Sequence, residues 1–249
     1  MSELQHPDAR SFEDVAELYE RVRPEYPKEA IDWLVDRLGL TRGSTVVDLG
    51  AGTGKLTRLL VRRVGRVIAV EPGPKMLAQL ERSVPEADGV LGAAEAIPLG
   101  DACVDAVVCA QSFHWFRAAE ALQEIHRVVR RGGGLGLIWN HRHPDDGLQN
   151  DLRVLLEPYI PFGRPRTARV LEEIVRDSRF GEIEAMEFEF AVDLDPDGVA
   201  ARIASISYVA AAPPEAQRQL AESVRELVAD SGGVVPFRYL TEVYVTLVV

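Results

Sequence analysis

Cysteine, long apolar runs and positive charge are all scarce in this 249-residue chain, and each shortage argues against a class of protein. The two cysteines are Cys103 and Cys109, with no second Cys/His pair at zinc-ligand spacing, which speaks against a disulfide framework and a structural zinc. Nowhere do eighteen apolar residues run together, and residues 1–10 are polar and include Pro7. Neither a membrane span nor a signal peptide is therefore expected, and the default location is cytoplasmic. Acidic residues outnumber basic ones 39 to 28, a net charge of −11, and a field of that sign repels phosphate backbones and anionic lipid heads. Nucleic acid and membranes are accordingly not expected as partners. Arg62, Arg63 and Arg66, and Arg127, Arg130 and Arg131, fall near the ends of predicted helices, where cations complement the helix dipole.

What remains is an ordinary globular composition, 47% hydrophobic and 27% charged, without low-complexity tracts or internal repeats. Phe12, Val15, Ala16 and Tyr19 recur at helical spacing before Arg23-Pro24-Glu25-Tyr26-Pro27 interrupts them. A second helix is predicted over 28–38, with Ile31, Leu34, Val35 and Leu38 on one face and Gly39 as its stop. From Thr45 short apolar runs alternate with helical stretches: strands at 45–49, 66–70, 89–91, 106–110 and 134–139, and helices at 55–63, 75–82 and 118–129. Such alternation predicts a parallel sheet covered on both faces. Beyond His143 the texture changes. Helical pieces are expected at 148–156, 199–209 and 214–229, residues 183–190 alternate with period two, and 239–249, rich in β-branched and aromatic residues, should form a terminal strand. Trp33 and Trp139 are expected in the core.

The sharpest local signal is Val46-Val47-Asp48-Leu49-Gly50-Ala51-Gly52-Thr53-Gly54, a strand running into alternating glycines and then a helix. Glycine is needed where the main chain turns with positive φ or lets a ligand touch the backbone, and in open α/β sheets the ligand crevice lies outside the carboxyl ends of the strands. A dinucleotide site spaces its glycines G-x-G-x-x-G, whereas here the third such position is Lys55. Asp48 suits a ligand bearing an ammonium group better than one bearing phosphates. At the end of the next strand Val70-Glu71-Pro72 offers a carboxylate that can accept hydrogen bonds from the two hydroxyls of a ribose.

These segments, followed by Met76-Leu77, Ala94-Glu95-Ala96-Ile97-Pro98 and the strand 106–110, resemble the ordered motifs of the Rossmann-like, class I S-adenosylmethionine-dependent methyltransferases. The resemblance covers roughly residues 19–140. It implies a single domain over 1–249: a doubly wound, mostly parallel seven-stranded α/β sheet with helices on both faces and an antiparallel C-terminal strand. Residues 1–40 would form a helical lid, 41–143 the cofactor-binding core and 144–249 a substrate-side cap and the final strands. It also implies S-adenosyl-L-methionine as cofactor, with no metal. Gly50, Ala51 and Gly52 would line its methionine part with Asp48 beneath, Glu71 beside Pro72 would hold the ribose, and Met76 would pack on the adenine. Many relatives carry an Asp where Ala93 stands, so adenine recognition falls to backbone near Ala94 and to Glu95. Gln111-Ser112-Phe113-His114-Trp115-Phe116, together with Tyr19 and Arg23-Pro24-Glu25-Tyr26-Pro27, is similar to a small-molecule subgroup that includes aconitate methyltransferases. Tyr19, Arg23 and Gln111 would join the cofactor site, and His114, Trp115 and Asn140 would face the acceptor.

Methyl transfer from a sulfonium is an in-line displacement, in which the protein mainly orients the reactants and excludes water. His114 is the candidate general base, since imidazole titrates near neutrality; equally, His114 and Trp115 could shape the cleft wall. His141 and His143 could reach the same rim, and Arg23 could hold the cofactor carboxylate or an acidic substrate. The expected reaction is O-methylation of a small organic molecule by a monomer or homodimer. The alternative is a regulatory protein that binds the cofactor or a nucleoside without catalysis.

Overall fold

Each short apolar run of the first 140 residues forms a strand in the computed structural model, which describes residues 23–160, 167–229 and 232–249. The helix predicted over 12–19, with Tyr19, lies outside them. Helix α1 (Lys28–Arg37) buries Ala30, Ile31 and Leu34. Then β1 (Thr45–Leu49), α2 (Lys55–Leu60), β2 (Arg66–Glu71), α3 (Pro74–Ser83), β3 (Asp88–Leu91), β4 (Val104–Ala110), α4 (Ala118–Val128) and β5 (Val129–Arg142) follow in alternation. Beyond β5 come α5 (Gly147–Leu156), α6 (Thr167–Arg176), β6 (Glu184–Leu194), α7 (Pro196–Ala204), α8 (Ser207–Ala210) and α9 (Pro214–Leu227), and β7 (Val235–Leu247) closes the order.

The sheet runs β3-β2-β1-β4-β5-β7-β6. β1 to β5 pair in parallel, and β7 inserts antiparallel between β5 and β6. This is the seven-stranded, mostly parallel architecture that the motif order implies. The chain winds outward from β1 to β3 and then returns to β4 and β5 on the other side, so the topological switch point lies between β1 and β4.

Alternation along the strands sorts the core into two faces. Val47, Leu49, Val107 and Cys109 pack with Leu122 and Ile125 of α4 and with Val170 and Ile174 of α6. Val46, Ala106, Val108 and Ile138 pack with Ile31 and Leu34 of α1 and with Leu56 and Leu60 of α2. A third cluster joins α5, α7 and α9 to Phe237 and Tyr239 of β7. Trp139 is buried, whereas Trp33 only flanks the core.

Several boundaries depart from the periodicity. β5 starts at Val129 rather than residue 134, because Val129 pairs with Val104 across an irregularity before the ladder resumes at Ala106 and Gly134; three consecutive glycines mask that continuity. β7 begins four residues earlier than expected, held by its full-length pairing with β6. The stretch 199–209 divides into α7 and α8, with Ser205 as the C-cap of the first. Helix α6 went unrecognised beside the Pro/Gly/Arg-rich stretch before it; Val170 and Ile174 pack it onto the sheet.

Leu34 is fully buried, and a Cβ at Gly136 would come within 2.5 Å of its Cδ1, so α1 lies close on β5. Leu34→Ala is expected to cost about 2–5 kcal/mol, the range for large-to-small core changes, read as a lower urea midpoint with an unchanged slope.

Candidate active site

The glycine loop is shaped by its backbone before any ligand chemistry enters. Gly50, Gly52 and Gly54 hold φ of +70°, +58° and +90°, a region closed to most side chains. At Gly50 a Cβ would also stand 2.7 Å from Ser112 Cβ. The loop therefore touches the segment after β4 at the switch point, where Ser112 Oγ donates to the Leu49 carbonyl at 2.8 Å. At Gly52 a Cβ would meet nothing within 4 Å; there the backbone faces open space.

Glu71 ties this loop to the turn after β2. One of its carboxylate oxygens accepts from Gly52 N at 2.9 Å and the other from Gly73 N at 2.8 Å. Asp48 lies beneath, 1% exposed. Its Oδ2 accepts from Thr57 Oγ1 at 2.6 Å, and its Oδ1 is buried without a hydrogen-bond partner. Burial, with the nearby Glu71 charge adding to it against the Thr57 hydrogen bond, pushes the Asp48 carboxyl up to about 7.

These groups line a cavity of about 620 Å³, within the usual span of ligand sites. It crosses the carboxyl ends of β3, β2, β1, β4 and β5, about 19 Å at the usual ~4.8 Å strand spacing. Leu91 to Glu95 and Met76 line it on one side, Asp48, Gly50 to Thr53 and Glu71 to Gly73 in the middle, and Gln111, Ser112, Trp115, Phe116 and Asn140 beyond. Arg23, Pro24, Tyr26 and Arg202 also line it.

All the residues singled out from the sequence for the cofactor line this cavity except Tyr19, which lies outside the described residues. Ala94 is buried, and Glu95 Oε1 accepts from Arg117 N at 2.8 Å. Gln111 holds φ +57° while its Nε2 donates to the Asn140 carbonyl at 2.8 Å. Asn140 Oδ1 in turn accepts from Thr241 Oγ1 at 2.7 Å.

The histidines stand elsewhere. His114 does not line the cavity; its Nδ1 accepts from Trp139 Nε1 at 3.3 Å, and its ring centroid lies 4.7 Å from that of Trp115, which does. His141 Nε2 lies 3.0 Å from Glu242 Oε2 and His143 Nε2 lies 3.3 Å from Glu189 Oε1, so neither joins the rim. Among the described residues no group of three His, Cys, Asp or Glu could hold a metal ion, and no helix is long and apolar enough to cross a membrane.

Sequence reasoning passed over Ser112 as a loop support and Arg202 as a lining residue. Arg202 had a legible signal: it interrupts the apolar face of α7 between Val199 and Ile203, both buried, where helical periodicity expects another apolar residue.

A switch-point cleft lined by a glycine loop, with carboxylates at the ends of β1 and β2, defines a doubly wound ligand-binding fold. Comparison with known proteins narrows it. Residues 47–137 match the methyltransferase domain model. An uncharacterized methyltransferase of Mycobacterium tuberculosis is 38% identical over 239 residues, 96% of this chain and 94% of that one. A methyltransferase-like protein of Schizosaccharomyces pombe is 35% identical over 222 residues, 88% and 86% of the two chains. Among solved structures, a candidate type II methyltransferase from Anaeromyxobacter dehalogenans superposes with a TM-score of 0.69 at 24% identity, over 90% of this chain and 96% of that one. The cyclase SpnF shares the fold at TM-score 0.59 and 17% identity, over 96% and 94% of the two chains. The chain belongs to the class I, Rossmann-like methyltransferases, and its activity is methyl transfer.

The Asp48 carboxyl keeps its proton in the folded chain up to about pH 7, whereas its ordinary value is 3.8. Between those values the folded chain binds more protons than the unfolded one, so the Asp48 contribution to stability falls as pH rises from about 4 to 7 and is level above. Asp48→Asn should remove that slope, up to about 1.4 kcal/mol per pH unit, in urea titrations of both proteins at pH 5, 6, 7 and 8.

Proposed function

We propose that this chain transfers a methyl group from S-adenosylmethionine to an oxygen of a small organic molecule. The observation that carries the reading is one continuous cavity with two chemically different parts: the glycine loop with Asp48 and Glu71, and beyond β4 a wall of Trp115, Asn140 and Arg202. A site that only bound a nucleoside would need the first part alone.

The residues present fit the cofactor. The buried, unpartnered Oδ1 of Asp48 suits an ammonium group, whose arrival would draw the proton off the carboxyl. The open face of Gly52 lets a ligand approach the backbone. Glu71 can accept ribose hydroxyls beside the two backbone amides it already holds, and Met76, 5% exposed, gives an apolar surface for a base. When bound, S-adenosylmethionine supplies an electrophilic methyl group on sulfur.

The chain's own part is binding, orientation and exclusion of water. Gln111, fixed by its hydrogen bond to the Asn140 carbonyl, sets the boundary between the two parts. Trp115 and Phe116 wall the cleft. His114 stands behind Trp115 with its Nδ1 engaged by Trp139, so we assign it to positioning rather than proton abstraction. No histidine lines the cavity among the described residues, which favours an acceptor oxygen that is already ionised over one needing a base.

Calorimetric titration with S-adenosylmethionine, S-adenosylhomocysteine and NAD tests the reading. Micromolar binding of the first two and none of NAD is expected, with Gly52→Val at least tenfold weaker; binding of NAD alone would overturn it. Affinity for S-adenosylhomocysteine should fall as pH drops below about 7, because Asp48 must then lose a proton to meet the ammonium group, and Asp48→Asn should both weaken binding and flatten that dependence. Once an acceptor is found, His114→Phe is expected to lower kcat by about tenfold or less without moving the pH profile. Loss of a titration step near neutrality would instead mark His114 as the base.

A further inference from the structure

The wall of the cavity beyond β4 contains a buried cation with no described anion beside it. Arg202 is 5% exposed and lines the cavity. Its Nε donates to Tyr239 Oη at 2.9 Å, its Nη1 lies 3.5 Å from Ser205 Oγ, and its guanidinium carbon stands 5.7 Å from the centroid of the Tyr239 ring. Every one of these partners is neutral.

A second guanidinium comes from the strand beside Tyr239, the partner of Arg202, without itself lining the cavity. Arg142 ends β5 opposite Tyr239 in the β5–β7 register, as Asn140 stands opposite Thr241, so the side chains of Asn140 and Arg142 share one face of the strand. The Nη1 of Arg142 is buried without a hydrogen-bond partner. Burial first, and the charges of Arg202 and Arg153 after it, hold this guanidinium below its ordinary range, while Tyr208 and Tyr239 oppose the shift. Arg23 arrives from the N-terminal side and donates from Nη2 to the Ser205 carbonyl at 2.8 Å.

Elsewhere the chain neutralises its partly buried arginines. Arg127 meets Glu124 and Asp101, Arg179 meets Asp177, and Arg63 meets Asp32. Around Arg202 and Arg142 no described carboxylate forms an ion pair. Like charges gathered in a poorly hydrated place disfavour the folded state, and a fold that keeps them there holds an electrostatic well for an anion.

We propose that Arg202, with Arg142 beside it, docks a carboxylate group of the methyl acceptor and so selects acidic acceptors over neutral ones. The planar guanidinium fork matches a carboxylate. An acid seated there lies along the same strand-end edge as Gln111 and the glycine loop, inside the one cavity. The proposal rests on the methyl-transfer reading for the identity of the molecule that carries the carboxylate, and on the arginines alone for the site.

Matched pairs of an acid and its amide test it: benzoate with benzamide and adipate with adipamide, titrated into the protein with and without saturating S-adenosylhomocysteine. At least one acid is expected to bind the loaded protein tenfold or more tightly than its amide. Arg202→Gln, checked for a cooperative thermal transition, should abolish that preference, and Arg202→Lys should keep part of it. Arg142→Met gives a second measurement that does not depend on ligand choice. Removing a buried, unmatched cation should raise the melting temperature by about 2–4 °C, and acids should then stabilise the variant less than the native chain. Equal binding of acids and amides, no binding of any acid, a preference that survives Arg202→Gln, or a lower melting temperature for Arg142→Met would each overturn the proposal. A protein that binds S-adenosylhomocysteine but no acid keeps the methyl-transfer reading and loses this one. A protein that binds acids but not S-adenosylhomocysteine does the reverse.

Discussion

The cleft depends on the double grip of one carboxylate. Glu71 takes the amide of Gly52 on one oxygen and that of Gly73 on the other, joining the loops after β1 and β2 across the edge of the sheet. Gly50 N and Ala51 N add bonds to the Val70 carbonyl, so the glycine loop is bound to its neighbouring strand through backbone and side chain together. Without that tie the positive-φ glycines would leave the loop many conformations, since glycine restricts the unfolded and loop ensembles least. With it, the cleft floor is already set before a ligand arrives, and binding costs less ordering.

The same economy governs the electrostatics. Asp48 sits dry beneath the loop with one oxygen unpartnered, and Arg202 sits at the far wall with no described acid to meet it. Both arrangements are costly in the free chain, and they are of opposite sign at opposite parts of one cavity. A ligand carrying an ammonium group relieves the first, and one carrying a carboxylate relieves the second. Strain of this kind tends to gather at functional sites. Most of the other ion pairs lie at the surface, where such contacts contribute little.

The match to SpnF limits what the fold alone implies. A cyclase and a methyltransferase can share one sheet order because the doubly wound sheet supplies a cleft and leaves its chemistry to the groups around it. In this chain the methyltransferase assignment comes from the relatives that align over nearly all of it. Of the wall beyond β4, Trp115 and Asn140 come from the core of the fold and Arg202 from the segment after β5.

Local chemistry determined the first half of this protein by itself. The run from Val46 to Gly54 announces a strand, a left-handed turn and a helix because glycine takes those backbone angles far more readily than other residues. Glu71 is legible because its distance from the loop equals one helix and one strand. The core faces of α1 and α4 follow from apolar spacing. What only the tertiary structure decided are the matters of pairing and convergence. β5 extends back across three glycines because Val129 pairs with Val104 of β4, and α6 exists because the sheet buries Val170 and Ile174. His114 turns toward Trp139 and not into the cavity. Arg202 reaches the cavity wall because α7 packs beside Tyr239, some forty residues further along the chain. Periodicity reports which residues share a face of one element, and so marks Arg202 as odd on the apolar face of α7, but which faces meet is settled by contacts far apart in sequence, and the wall that Arg202 shares with Asn140 of β5 is written in neither element.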